Sequence, residues 1–343
     1  MGVSLRLRHA GRMSAVSSPF PAVHSVLSAE ALAELLRREF PISSRVDVRL
    51  LRRNLNDTYL VRGLPDHGTA VLRVYRSAWR SAAEVAWELE FIEWVAAGVP
   101  VARPLARRDG QLFSVLSAAE GPRAYALFEH VAGRPLEPTE ADAAAYGAAA
   151  AALHRAADGF GVGGRFPLDL DHLITQPLAA VRPLLEDAPD LLRELEAAAA
   201  TTHARLSALA PTLEWGACHG DLHEGNARLG EDGAVRLFDF DCGGPGWRAY
   251  DLAVYRWNQA SGGAQGPEAA ERTWQAFLEA YQLRRPLGQP DLEALPLFVT
   301  ARSLWFMGLM AGRTHEFGTE TLDRGFFEYG LNVLREWEAR HGG

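Results

Sequence analysis

His219-Gly-Asp-Leu-His-Glu-Gly-Asn226, followed after a turn at Asp232-Gly233 by Leu237-Phe-Asp-Phe-Asp241, decides how this chain is read. Phosphoryl transfer needs a carboxylate that orients a hydroxyl and takes its proton, together with hard oxygen ligands for a divalent cation. Asp221 and Asn226 stand five residues apart on one tight loop, and Asp239 returns on the next hairpin, so the three can converge on one centre. Two other readings stay open on residue type alone. His219, Asp221 and His223 can form part of a metal-hydrolase cluster, although no further ligand falls at a spacing that closes a shell. The run can also be a polar turn without chemistry.

Before this stretch the pattern is that of a small sheet. Val46-Asp-Val-Arg-Leu, Thr58-Tyr-Leu-Val and Ala70-Val-Leu-Arg-Val-Tyr alternate and are rich in β-branched residues, which predicts strands. Asp109-Gly110, between Val101–Leu105 and Leu112–Leu116, predicts a hairpin. Helical spacing covers Ser28 to Phe40, with Ser28 as cap, and Ser81 to Ala97, with Val85, Leu89, Ile92 and Ala96 on one face. Past Phe128-Glu-His-Val-Ala-Gly-Arg-Pro-Leu the chain reads as helices: 141–157, 189–209, 267–282, 291–311 and 321–340. The expectation is an α+β chain of two lobes: a leader at 1–27, poorly ordered and without the apolar centre of a secretory signal; an N-lobe at 28–130; and a helical C-lobe at 131–343.

Composition narrows the function. With 48% hydrophobic and 23% charged residues the chain can bury a large core. The net charge of −8 speaks against a nucleic-acid partner, which requires a concentrated basic face. No apolar run approaches a membrane span, and the densest, Leu304 to Gly312, reads as a buried helix, so a cytoplasmic protein with no membrane partner is expected. Cys218 and Cys242, the only cysteines, form no CxxC and read as small buried thiols beside the acidic motifs. No lysine occurs, so all 35 basic residues are arginine.

The Asp221-to-Asn226 spacing equals that of the protein-kinase loop H-R-D-x-x-x-x-N, with Gly220 in place of its arginine. More specifically, H-G-D-x-H-x-x-N with D-F-D resembles the aminoglycoside phosphotransferase superfamily, which includes choline kinases, type II homoserine kinases and stress-response Ser/Thr kinases. The order of lobes agrees over roughly 45–340. That resemblance implies a protein-kinase-like fold and an ATP- and Mg²⁺-dependent kinase. Asp221 would be the base, Asn226 and Asp239 would hold Mg²⁺ with Asp241 assisting, and Asp251 would brace the loop. Asn54 and Asn56 would lie over the phosphates, and the backbone near Glu129 and Val131 would meet the adenine. Where the family places a phosphate-binding lysine this chain has Arg73, and of the glutamates on the following helix Glu88 lies at the edge of the buried stripe, so it is the expected partner. In a chain without lysine, arginine there is weak evidence for a dead, regulatory pseudokinase, which stays an alternative beside the hydrolase.

The acceptor is expected between the catalytic loop and the C-terminal helices, among Trp247, Tyr250, Tyr255, Trp257, Trp305, Phe306 and Phe317. These read mainly as core, and a few can cage a choline-like cation. From 296 to 343 six acids stand against five arginines, a balance that does not demand an aminoglycoside polycation. Arg302-Ser-Leu-Trp-Phe-Met-Gly and Val71-Leu-Arg-Val-Tyr-Arg resemble the homoserine-kinase and stress-kinase branch. A small amino alcohol such as homoserine, or a protein Ser/Thr hydroxyl, therefore leads. Nothing in the sequence speaks to oligomeric state.

Overall fold

A computed structural model describes residues 20–341 except 44, 78, 162 and 263–265, with Phe317 described by its backbone alone. Helix α1 (Ala29–Glu39) opens the N-lobe, capped by Ser28. Strands β1 (Asp47–Arg53), β2 (Asn56–Leu64), β3 (Gly68–Tyr75), β4 (Phe113–Ala118) and β5 (Gly121–Glu129) form a five-stranded antiparallel sheet in the order β1-β2-β3-β5-β4. Helix α2 (Ala82–Val95) follows β3 and starts at a reciprocal cap, the Ser81 hydroxyl accepting from Glu84 N while the Glu84 carboxylate accepts from Ser81 N.

At Asp109-Gly110 the expected turn forms, Arg107 N donating to the Gln111 carbonyl at 2.9 Å, but no strand ladder extends from it. Val101 and Pro104 make only isolated bridges, and β4 pairs with β5 instead, through Ala118 opposite Gly121. Pro100 and Pro104 explain the difference, since neither can donate to a ladder. The leader expected through residue 27 is also corrected over its last residues. His24 reaches the buried Asp57, and the Ser25 hydroxyl donates to Glu120 at 2.6 Å. Residues 1–19 of that leader lie outside the described residues.

The C-lobe contains α3 (Glu140–Ala156), α4 (Gln176–Val181), α5 (Pro189–Leu209), α6 (Arg248–Gly262), α7 (Pro267–Gln282), α8 (Gln289–Ala311), α9 (Thr314–Phe317) and α10 (Arg324–His341). Two short ribbons lie between α5 and α6: β6 (Trp215–Cys218) pairs with β9 (Gly244–Trp247), and β7 (Ala227–Leu229) with β8 (Val235–Leu237). They carry the two acidic motifs at their ends. Among the described residues α8 alone is long and apolar enough to cross a membrane, and 78% of its apolar window is buried inside the protein.

Burial divides the core unevenly. One cluster lies between α1 and one face of the sheet, with Leu32, Leu36, Val61 and Leu72. The other runs from the opposite face of the sheet through α2 into the whole helical lobe. Phe91 of α2 packs on Phe240, in the acidic motif, at 5.8 Å between ring centres. By packing, α2 therefore belongs to the C-lobe core, although in sequence it belongs to the N-lobe.

Candidate active site

The loop after β6 turns sharply at Gly220, whose φ is +74°. A Cβ there would stand 2.0 Å from the Cys242 carbonyl oxygen, so only glycine fits. Asp251, near the start of α6, fixes this turn: its carboxylate accepts from the backbone N–H groups of His219 (2.6 Å) and Gly220 (2.7 Å). It also accepts from His154. His219 is buried and braces the loop, donating from Nε2 to the Phe238 carbonyl at 3.1 Å and accepting from Asp221 N.

The Asp221 carboxylate is clamped at both oxygens. Oδ2 accepts from Asn226 Nδ2 at 2.9 Å and lies 3.3 Å from His223 Nε2, while Oδ1 pairs with Arg302. Burial alone would raise this carboxyl, but Arg302 and His223 outweigh it and hold it well below the usual carboxylate range. Arg302 comes from the middle of α8. It also donates to the Gly220 carbonyl and the Tyr250 hydroxyl, and Trp305 and Trp257 cover its guanidinium at 4.3 and 5.2 Å.

Across the cleft, Arg73 on β3 donates from Nη1 to Glu88 Oε1 at 2.7 Å and from Nη2 to Asp239 Oδ1 at 2.8 Å. Glu88 is fully buried, and its second oxygen accepts from the Tyr75 hydroxyl. Asp239 is the one non-glycine residue with positive φ among the described residues, at 67°. That left-handed turn leaves its carboxylate 44% exposed and facing the cleft. Between the sheet and the loop that carries Asn226 lies a cavity of about 310 Å³. Val71, Ile92, Phe128 and Phe238 give it apolar walls, Arg73, Glu88, Asn226 and Asp239 a polar end, and Glu129 and Val131 stand at the lobe connection.

Not every expected residue joins this cavity. Asn54 is exposed in the turn between β1 and β2 and does not line it; Arg52 and Thr58 do. Asn56 points the other way and donates to Asp241 Oδ2 at 2.8 Å. Asp241 itself, expected to assist at the metal, is 4% exposed, with Oδ1 taken by Arg80 and Oδ2 by Asn56 and Trp79. Both oxygens serve protein donors, so Asp241 ties the start of α2 and β2 to the acidic loop. Arg165 adds to this tie, donating to the carbonyls of Gly243 and Glu84.

The donor set fits a hard divalent cation. Asp239 and Asn226 offer oxygens on one cavity, and Mg²⁺ is commonly held by one or two protein oxygens completed by phosphates and water. Among the described residues no cluster of three or more His, Cys, Asp or Glu could hold a metal. Both cysteines are buried and free, and burial pushes each thiol up, as suits inert wall residues.

Sequence reasoning overlooked Arg302, Arg80 and Arg165. A signal was present for the first: an arginine inside the apolar run 297–311 must find a partner when buried, and the unpaired acid nearest in chemistry was Asp221.

The pattern of the Phosphotransferase enzyme family (APH) matches residues 47–287. A protein of Deinococcus radiodurans is 59% identical over 98% of this chain and 97% of its own length. The homoserine kinase of Caulobacter vibrioides is 31% identical, the match covering 70% of this chain and 74% of that enzyme. Among solved structures, a microcompartment-associated aminopropanol kinase superposes with a TM-score of 0.69 at 25% identity, covering 90% of this chain and 96% of that one. Amicoumacin kinase hAmiN, solved with AMP-PNP, Ca²⁺ and Ami, superposes with a TM-score of 0.72 over 92% of this chain and 94% of its own; at 18% identity that likeness concerns the fold alone. With its protein-kinase-like fold and these matches, the chain belongs to the APH phosphotransferase family and is a kinase-type phosphotransferase acting on a hydroxyl acceptor.

Proposed function

We propose that the protein transfers the γ-phosphoryl group of ATP, with Mg²⁺, to the hydroxyl of a small amino-alcohol or amino-acid acceptor. The observation that carries this reading is the convergence on one cleft of Asp221, Asn226 and Asp239 from the catalytic side and the Arg73–Glu88 pair from the sheet. The homoserine-kinase relatives and the aminopropanol-kinase neighbour support the acceptor class.

Bound Mg·ATP supplies the phosphoryl group and neutralises part of its charge. Asp221 orients the acceptor hydroxyl and accepts its proton as the oxygen attacks phosphorus and the bond to the ADP oxygen breaks. Arg302 and His223 hold that carboxylate ionised, and its contacts with Arg302 and Asn226 fix its orientation. Asp239 and Asn226 are the residues that would hold the cation, and Arg73, fixed by Glu88, points its guanidinium at the phosphate end of the cavity.

The test is ADP release from ATP and Mg²⁺ against homoserine, choline, an aminoglycoside, small sugars and a generic protein substrate, with Asp221→Asn as control. A small amino alcohol or amino acid should stimulate turnover, and the variant should lose roughly 10²- to 10⁴-fold in rate while still binding ATP. A variant that turns over near the wild-type rate would remove Asp221 from the reaction. A wild type stimulated only by protein or aminoglycoside would overturn the acceptor class.

A further inference from the structure

Two strands wall the nucleotide cavity from opposite lobes, and each leaves its polar end with the two-residue period of extended chain. On β3, Arg73 and Val71 both line the cavity; on the other side Asn226 and Arg228, at the start of β7, do the same. Two residues of extended chain span about 6.5 Å, so Val71 and Arg228 stand that far from the phosphate end. Both steps lead towards the lobe connection. Val71 pairs with Phe128 of β5, and Leu229, next to Arg228, bridges to Arg134. The slot between Val71 and Arg228 is therefore placed for the part of a nucleotide that lies beyond its phosphates.

Of the three arginines that line this cavity, Arg73 is held by Glu88 and Asp239, and Arg52 is exposed on β1. Arg228 differs from both. It is half-buried, and among the described residues its guanidinium meets no carboxylate at ion-pair distance. Its hydrogen bond is local, from Nη1 to the Ala227 carbonyl at 2.7 Å, and the guanidinium carbon lies 5.2 Å from the centre of the Phe238 ring, itself a cavity wall. A guanidinium drawn partly out of water needs a carboxylate or a π-face in exchange for its hydration. The protein supplies one aromatic ring and no acid. Because the group is planar and weakly hydrated, it stacks well on a second flat ring. The opposite wall at this depth, Val71 with Ala102, is apolar and offers packing alone.

We propose that Arg228 positions the nucleotide base: its guanidinium, backed by Phe238, stacks on the face of the purine that Val71 covers from the other side. The inference rests on the ATP reading above and deepens it. The base is gripped through its π-face by a charge and not by apolar packing alone, so removing that charge weakens the base half of the nucleotide and leaves the phosphate half untouched.

The two halves of the nucleotide test it separately. AMP-PNP, adenosine and tripolyphosphate, each with Mg²⁺, are competed against a fluorescent nucleotide on wild type, Arg228→Ala and Arg228→Leu. Thermal unfolding reports that each variant is folded. Arg228→Ala should weaken AMP-PNP and adenosine alike, roughly 3- to 30-fold, the range of a cation–π contact, while tripolyphosphate competes as it does on wild type. Arg228→Leu keeps an apolar floor without the charge and should regain only part of the loss. The assignment is overturned if Arg228→Ala binds AMP-PNP as tightly as wild type, or if adenosine is unaffected. It is overturned as well if tripolyphosphate weakens in step with AMP-PNP, which would put Arg228 on the phosphates, or if Arg228→Leu matches wild type, which would make the floor plain packing. A wild type that binds no nucleotide would remove the ATP reading itself. Tight AMP-PNP binding that Arg228→Ala leaves unchanged would sink the base contact alone.

Discussion

Arg73 holds Glu88 with one nitrogen and Asp239 with another, a fork that a single ammonium group cannot reproduce with the same spacing. If this guanidinium reaches the phosphates, Arg73→Ala should cost on the order of 2–4 kcal/mol of transition-state stabilisation. Arg73→Lys should recover only part of that. Single-turnover transfer from labelled ATP decides the matter: an Arg73→Ala protein as fast as wild type would make Arg73 a strand residue and nothing more. At this scale the sequence was legible where spacing restricts geometry. Asp221 and Asn226 on one loop had to meet, and Glu88 followed from helical phase. Asp239 was expected at the metal with Asp241 assisting, and the structural role of Asp241 was not legible, because only the left-handed backbone at Asp239 turns one carboxylate to the cleft and leaves the other among Arg80, Trp79 and Asn56. Those partners come from three separate segments that no local pattern connects.

Elements were read well where caps and breakers spoke clearly. The helices at 189–209 and 267–282 begin with Pro189 and Pro267 and stand where the pattern placed them. The segment at Asp109-Gly110 shows the converse: the dipeptide makes its turn, but prolines weaken the flanking strand and no ladder follows. Helix α6 and the insertion around α4, both packed against α8, were not read as helices. One such contact is testable between α3 and α7. A Cβ on Gly147 would stand 2.0 Å from the Phe277 carbonyl oxygen. In an ordinary helix Gly→Ala stabilises by about 1 kcal/mol. Here the close approach reverses the sign, and Gly147→Ala should destabilise by about 1–3 kcal/mol in urea unfolding. A more stable variant would show that the two helices separate at little cost.

For the molecule as a whole, two histidines set a pH dependence, His154 fully buried and His172 half-buried. Burial pushes His154 and His172 down to about 4. Both are arranged as neutral rings, His154 between Tyr281 and Asp251 and His172 as the acceptor of Trp305. Between pH 6.5 and 4 the unfolded chain takes up protons at these sites and the folded chain does not. Their contribution is therefore complete above about pH 6.5 and is lost as pH falls towards 4, with a slope of up to about 2.7 kcal/mol per pH unit for the pair. His172→Gln keeps an acceptor for Trp305 and should remove about half of that slope, measured by urea midpoints across the range. An unchanged slope would mean that His172 is already charged in the folded protein. The same burial that creates this sensitivity joins the lobes, since α2 packs into the C-lobe core and Asp241 fastens it there.

If Arg73 stands beside bound phosphates as proposed, it also governs how the protein meets chemical probes. Acyl-phosphate nucleotides label kinases by transferring an acyl group to a side-chain amine next to the bound phosphates. A guanidinium stays protonated at neutral pH and offers no such nucleophile, and the chain has no lysine elsewhere to substitute. On that reading, a proteome-wide survey built on that reaction would pass over this enzyme even with nucleotide bound.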